Sequence, residues 1–281
     1  MYLEHFGLAE YPFALTPDTD FVYRAQQHQA AMNVLLLALD GGEGFVKVTG
    51  EVGTGKTLVC RRLLASLPAG VVSAYVINPR LTPCGLLRCV GDELGLLRRR
   101  GVDEHGLYEL LEAELLRLAA QDKRVVLCID EAQAMPLETL EALRLLSNLE
   151  TGKRKLIQIV LFGQPELDIK LGKPAIRSLA SRIAFSARLG GLDAADFDNY
   201  LSHRLHVAGW RGAAVFCAPA RWLLWRASRG VPRLANILAH KALMLAYGAG
   251  VHRVGLSLAW QAARDEAGFK LWPAKLHGVE T

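Results

Sequence analysis

Gly50-Glu51-Val52-Gly53-Thr54-Gly55-Lys56-Thr57 fits the pattern G-x-x-x-x-G-K-[ST]. Glycines at these spacings let a backbone wrap a phosphate with its N–H groups, and a following helix aims its positive N-terminus at the anion. In such a loop Lys56 reaches the β- and γ-phosphates and Thr57 holds Mg²⁺, so Gly50–Thr57 and Leu58 just beyond are the expected nucleotide contacts. The flanks agree. Gly44–Thr49 (GFVKVT) reads as a short buried strand, and Gly55–Leu67 reads as a helix stopped by Pro68.

Working outward, Val71–Ile77, Val125–Ile129, Leu156–Phe162 and Ile183–Leu189 are further short, β-rich apolar runs. Between them, Pro83–Gly95, Glu104–Gln121 and Pro136–Leu149 carry leucines at helical spacing, with Arg98-Arg99-Arg100-Gly101 as the break between the first two. Strands that are apolar on both faces and alternate with helices predict a parallel sheet covered by helices. After Leu189 the strand signal fades, and Asp193–Val207, Ala218–Ser228, Val231–Tyr247 and Ser257–Gly268 read as helices. The expected organisation is an α/β domain over 1–190 followed by a small all-helical domain over 191–281.

Val125–Ile129 runs into Asp130-Glu131. Acids at the C-terminal tip of a buried strand lie where α/β sheets bind ligands. Asp130 is placed to hold Mg²⁺ and Glu131 to polarise an attacking water; taken alone, the pair also suits a strand-end turn. The fourth strand ends in Gly163-Gln164-Pro165, where Gln164 either orients that water beside Glu131 or is a plain loop residue before a helix at Pro165. Arg177 and Arg182 precede the fifth strand, and either is an arginine finger for a neighbouring subunit or a surface cation. Arg233 sits in the first turn of a helix after Pro232. A cation there opposes the helix dipole unless a phosphate meets it. His203 and His206 lack a third ligand and read as a surface pair rather than a metal site. Trp222 and Trp225 read as a core stripe in preference to a base-stacking pair.

Of the 281 residues 51% are apolar and 22% charged, which excludes a disordered or low-complexity chain. No apolar run approaches the roughly 18 residues that span a bilayer, and Met1–Glu10 lacks a signal-peptide pattern, so a cytosolic location is expected. The cysteines, Cys60, Cys84, Cys89, Cys128 and Cys217, show no C-x-x-C spacing, and Cys60 and Cys128 read as small buried hydrophobes. The net charge of +5 is uneven: residues 1–200 hold 22 Lys+Arg and 25 Asp+Glu, whereas residues 201–281 hold 11 and 3. The basic C-terminal part faces an anionic partner or is a solvated surface.

Together these residues resemble an AAA+ ATPase, with Walker A at Gly50–Thr57, Walker B at Leu127–Glu131, sensor 1 at Gln164, the finger at Arg182 and sensor 2 at Arg233. Met1–Leu8, Pro12-Phe13, Thr16-Pro17-Asp18, Phe21 and Tyr23 are similar to the opening of the ExeA/GspA family of secretion ATPases, as are Asp130-Glu131-Ala132-Gln133 and Gly163–Leu167. The resemblance implies ATP and Mg²⁺ as ligands and a homo-oligomer (dimer or ring) with shared sites. It also implies partners among inner-membrane pilus or secretion components, and an opening segment (1–40) that covers the adenine with Tyr2, Phe6 and Phe13. ExeA-like proteins continue into a membrane helix and a peptidoglycan-binding domain. Here the sequence ends at Thr281, a layout similar to the free-standing ATPases of mannose-sensitive haemagglutinin (MSHA) type IV pilus biogenesis. A DNA-associated ATPase of the transposition-helper type shares these motifs, and the basic lid suits it.

Overall fold

Each of the five apolar runs is a strand: β1 (Phe45–Gly50), β2 (Val71–Val76), β3 (Arg124–Ile129), β4 (Ile157–Gly163) and β5 (Ile183–Leu189). The computed structural model describes residues 2–15, 21, 23–96, 102–151 and 154–266. Met1, Thr16-Pro17-Asp18, the break at Arg98–Gly101 and Gly268 at the end of the last expected helix lie outside the described residues. The helices, in chain order, are α1 (Tyr2–Phe6), α2 (Gln26–Asp40), α3 (Lys56–Ser66), α4 (Pro83–Glu93), α5 (Glu104–Ala120), α6 (Leu137–Leu146), α7 (Glu166–Leu171), α8 (Arg177–Ala180), α9 (Ala194–Val207), α10 (Ala218–Ser228), α11 (Pro232–Gly248) and α12 (Leu256–Arg264).

The strands form one parallel sheet in the order β2-β3-β4-β1-β5. All seven residues of β4 are buried, because helices cover both faces. Its alternate side chains feed two cores. Ile157, Ile159 and Leu161 pack with α4, α5 and α6, whereas Val160 and Phe162 pack with α2 and α3. β5 lies at the edge, and its burial alternates along the strand, as period-2 geometry requires of a strand covered on one side. β3, β4 and β1 are neighbours, so the loops that leave their C-terminal ends lie side by side. Local capping fixes where helices start: the side chains of Thr82, Asp103 and Asp193 accept hydrogen bonds from the backbone N–H groups of Gly85, Gly106 and Asp196.

Gln27–Leu189 forms one compact unit, and the described residues of Met1–Gln26 and Gly190–Thr281 form a second. The expectation that the whole opening segment belongs with the α/β domain is thereby corrected for residues up to Gln26. The reason is apolar burial. Tyr2, Phe6, Phe13 and Phe21 join Phe197, Leu201, Phe216, Leu224 and Leu243 in one core. Arg204, itself buried, donates through Nε to the Pro12 carbonyl (2.5 Å) and through an η-nitrogen to the Ala14 carbonyl (3.1 Å), with its guanidinium 4.7 Å above the Phe21 ring. Asn236 adds a bond to the same Ala14 carbonyl at 3.4 Å.

Candidate nucleotide-binding and hydrolysis site

The loop between β1 and α3 is shaped by backbone that side chains rarely adopt. Gly53 and Gly55 have φ of +83° and +99°. Gly50 is fixed by contact instead, since a Cβ there would lie 2.6 Å from the Leu189 carbonyl oxygen at the end of β5. Thr54 is fully buried and donates from Oγ1 to the Glu51 carbonyl at 2.8 Å. His28, buried on α2, donates from Nε2 to the Thr54 carbonyl at 2.7 Å and braces the loop from behind. Lys56 Nζ donates to the carbonyls of Gly50 (2.7 Å) and Glu51 (3.0 Å). Burial pushes the Lys56 ammonium below its ordinary range, while the carboxylates of Glu131, Asp130, Glu51 and Glu166 oppose that shift. Glu51 and Val52 form the exposed tip of the loop, and Leu58 is half-buried in the first turn of α3.

The tip of β3 faces this loop. Thr57 Oγ1 donates to Asp130 Oδ2 at 2.7 Å, and Tyr75 Oη, from β2, lies 3.4 Å from the same oxygen. The other Asp130 oxygen accepts the Glu131 N–H at 2.9 Å. Glu131 has left-handed backbone geometry (φ +52°), which turns the chain sharply into a 3₁₀ turn at Ala132–Ala134. Gln164, at the end of β4, donates from Nε2 to Glu131 Oε2 at 3.1 Å. Gln133 Nε2 donates to that same Oε2 at 2.5 Å, and Gln133 Oε1 accepts the Gln164 backbone N–H at 3.0 Å. Lys170 on α7 ties the turn down from below, donating to the carbonyls of Gln133 (2.5 Å) and Met135 (2.6 Å). A hydroxyl and a buried carboxylate side by side make a hard-oxygen donor set that suits Mg²⁺. The glycine loop, with Lys56 beside it, suits a polyphosphate.

A family model described as "AAA domain" matches residues 39–171. General secretion pathway protein A of Aeromonas hydrophila is 42% identical over 254 residues, which are 90% of this chain and 46% of that protein. Over that span the chain is similar to the ExeA/GspA family. It spans about half the length of that relative (46%). Among solved structures, Cdc6p of Pyrobaculum aerophilum superposes with a TM-score of 0.68 at 16% identity, covering 90% of this chain and 70% of that one. The ORC2 protein of Aeropyrum pernix, solved as ADPNP–ADP complexes, gives 0.62 at 18% identity, covering 91% and 73%. The fold is therefore the P-loop AAA+ fold: a five-stranded parallel sheet flanked by helices, with a helical C-terminal region.

In this chain the structure brings together Lys56, Thr57, Asp130, Glu131 and Gln164, all at the C-terminal ends of β1, β3 and β4. Arg182 is exposed just before β5 and donates to Ser147 Oγ at 3.2 Å, and Arg177 is exposed on α8. Arg233 is exposed in the first turn of α11, in the helical unit. Tyr2, Phe6 and Phe13, expected to cover the adenine, are each at most 2% exposed and belong to the helical core. Tyr2 Oη lies 2.9 Å from His240 Nδ1, and Phe13 meets Phe216 edge-on at 6.0 Å. Trp225 packs on that core and donates its indole N–H to the Leu192 carbonyl at 2.8 Å, whereas Trp222 is 56% exposed and leaves the expected core stripe. Among the described residues no three or more His, Cys, Asp or Glu side chains gather as a metal site. Also among the described residues, no helix is long and apolar enough to cross a membrane.

His28, Tyr75 and Gln133 touch the site and were not singled out from the sequence. A lone histidine and a strand tyrosine carry no spacing signal. Gln133 stands in the quoted run Asp130–Gln133, and its position two residues past Glu131 was the one available hint.

Proposed function

We propose that this protein binds ATP with Mg²⁺ and hydrolyses it to ADP and phosphate, and that it does so to support assembly of a type II secretion machine or an MSHA-type type IV pilus. The observation that carries the hydrolase reading is the convergence of Lys56, the Thr57–Asp130 pair and the Glu131–Gln164 pair on one edge of the sheet. Lys56 and the loop N–H groups hold the phosphates. Thr57 and Asp130 hold the metal, which when bound supplies Lewis-acid neutralisation of phosphate charge. Glu131 accepts a proton from the attacking water, and the Gln164 amide orients it. Arg182 is the finger that a neighbouring copy lends, with Arg177 as the alternative, and Arg233 meets phosphate from the helical lid.

The relative's name, General secretion pathway protein A, supports the secretion setting, and with it a peripheral place at the cytoplasmic side of the inner membrane and partners among its assembly components. The test is steady-state phosphate release. Wild type should turn over with Mg²⁺, and Glu131→Gln should bind ATP yet release phosphate roughly 10²- to 10⁴-fold more slowly, the range for general acid–base catalysis. Equal rates would remove Glu131 as the base. A second reading, a DNA-associated ATPase, is favoured by the exposed Trp222 and Arg226 on α10 within the basic C-terminal part. Its signature is duplex binding whose affinity falls steeply with salt.

A further inference from the structure

Glu131 carries a left-handed backbone and a side chain whose direction is set by neighbours, and two amides converge on one of its oxygens. Gln133 Nε2 is 2.5 Å from Oε2 and Gln164 Nε2 is 3.1 Å from it. Gln133 is the hub of this arrangement. Its Oε1 takes the Gln164 N–H, so it joins the end of β3 to the end of β4. Its carbonyl is held by Lys170, so the turn that carries it is anchored to α7. Gly163 leaves it room: a Cβ there would lie 3.3 Å from Gln133 Oε1 and 2.7 Å from Leu167 Cδ2. A glutamine on a free turn gains little from such contacts, whereas one fixed at both its amide and its carbonyl transmits position.

We infer that Gln133 is a positioning residue for Glu131: it fixes the carboxylate that accepts the water proton and registers it against Gln164. The inference rests on the hydrolase reading above. Gln133 touches neither phosphate nor water in this role and acts through Glu131. Its loss should therefore slow the chemical step and leave nucleotide binding alone. A misplacement of a reacting group by about 1 Å costs on the order of a hundredfold, so Gln133→Met, which keeps the length and removes the amide, should lower kcat by about 10- to 100-fold with KM for ATP within about twofold.

The test is a double-mutant cycle on the full chain, read by phosphate release and by direct nucleotide titration. Wild type, Gln133→Met, Glu131→Gln and the double variant are compared. If Gln133 acts through Glu131, adding Gln133→Met to Glu131→Gln should change the residual rate by less than about twofold. Gln133→Asn keeps the amide but withdraws it by one methylene. It should also lower kcat, and it serves as the measurement if Gln133→Met melts markedly earlier than wild type. An undiminished or raised kcat, an equal loss in both Glu131 backgrounds, or a loss confined to ATP affinity overturns the inference while wild-type turnover leaves the hydrolase reading standing. Absence of turnover in wild type overturns both.

Discussion

Gly55→Ala tests whether the phosphate loop is held in its observed shape. The backbone at Gly55 has φ +99°, where a non-glycine residue costs about 1–3 kcal/mol. The new Cβ would also lie 2.8 Å from His28 Nε2, so the imidazole must retreat and give up its 2.7 Å bond to the Thr54 carbonyl. A hydrogen bond of that kind contributes about 1 kcal/mol net. The two effects sum to roughly 2–4 kcal/mol, and at about 1.4 kcal/mol per decade they correspond to roughly 30- to 700-fold. The loop is free to relax before nucleotide arrives, so the penalty should appear mainly in the Kd for ATP, with any remainder as a lowered melting temperature. Fluorescent-nucleotide titration and thermal unfolding together capture both. In a His28→Ala background, where that bond is already gone, adding Gly55→Ala should cost only the part due to φ. A Kd within about threefold of wild type with an unchanged melting temperature would refute the reasoning, because that spread is below the lowest estimate of strain.

Three further outcomes follow from the geometry. Arg182→Ala should lose on the order of 10³-fold in rate with little change in ATP affinity, wild-type rate per chain should rise with protein concentration, and mixing with Lys56→Ala should restore activity; a concentration-independent rate without rescue makes Arg182 a surface residue. Thr57→Ala removes the 2.7 Å bond to Asp130, so the magnesium concentration for half-maximal rate should rise about tenfold while metal-free nucleotide binding stays level; an unchanged magnesium curve rejects the assignment. Burial holds the His240 imidazole below its ordinary pKa of 6.5, so the folded chain resists a proton that the unfolded chain accepts. The stability His240 contributes is complete above that ordinary value and is lost as pH falls below it towards the depressed folded value. Melting temperatures taken between about pH 7.5 and about pH 5.5 should then fall less for His240→Gln than for wild type, and parallel slopes would show that His240 is not the titrating group.

The sheet was legible because strands buried on both faces are apolar nearly throughout, as β3 is after Arg124 and β4 is apart from Gln158. The nucleotide loop and Asp130-Glu131 were legible because phosphate chemistry demands those residue types at fixed spacing. α2 was not. Its inward side chains, His28, Ala31, Met32, Leu35 and Leu39, follow helical spacing, but Leu36 and Leu37 on the outer face are 39% and 67% exposed and blur the pattern. The aromatic opening was read through its resemblance, and physics reassigns it: four buried rings need a core, and α9–α12 supply one. Gln133 and Tyr75 reach the site through tertiary pairing of β2, β3 and β4, a register that no local spacing encodes.

The clamp of Arg204 on Pro12 and Ala14 joins residues 192 and 190 positions apart, and the contact of Tyr2 with His240 spans 238. On the ribosome these partners do not coexist for most of synthesis. At 5–20 residues per second, the opening aromatics emerge about 10–40 s before the helices that bury them. During that interval the nascent chain carries Tyr2, Phe6, Phe13 and Phe21 without their partners while residues 27–189 are being completed. The α/β unit can therefore mature first, and the helical core closes last, when Tyr2, Phe6, Phe13 and Phe21 meet α9–α12.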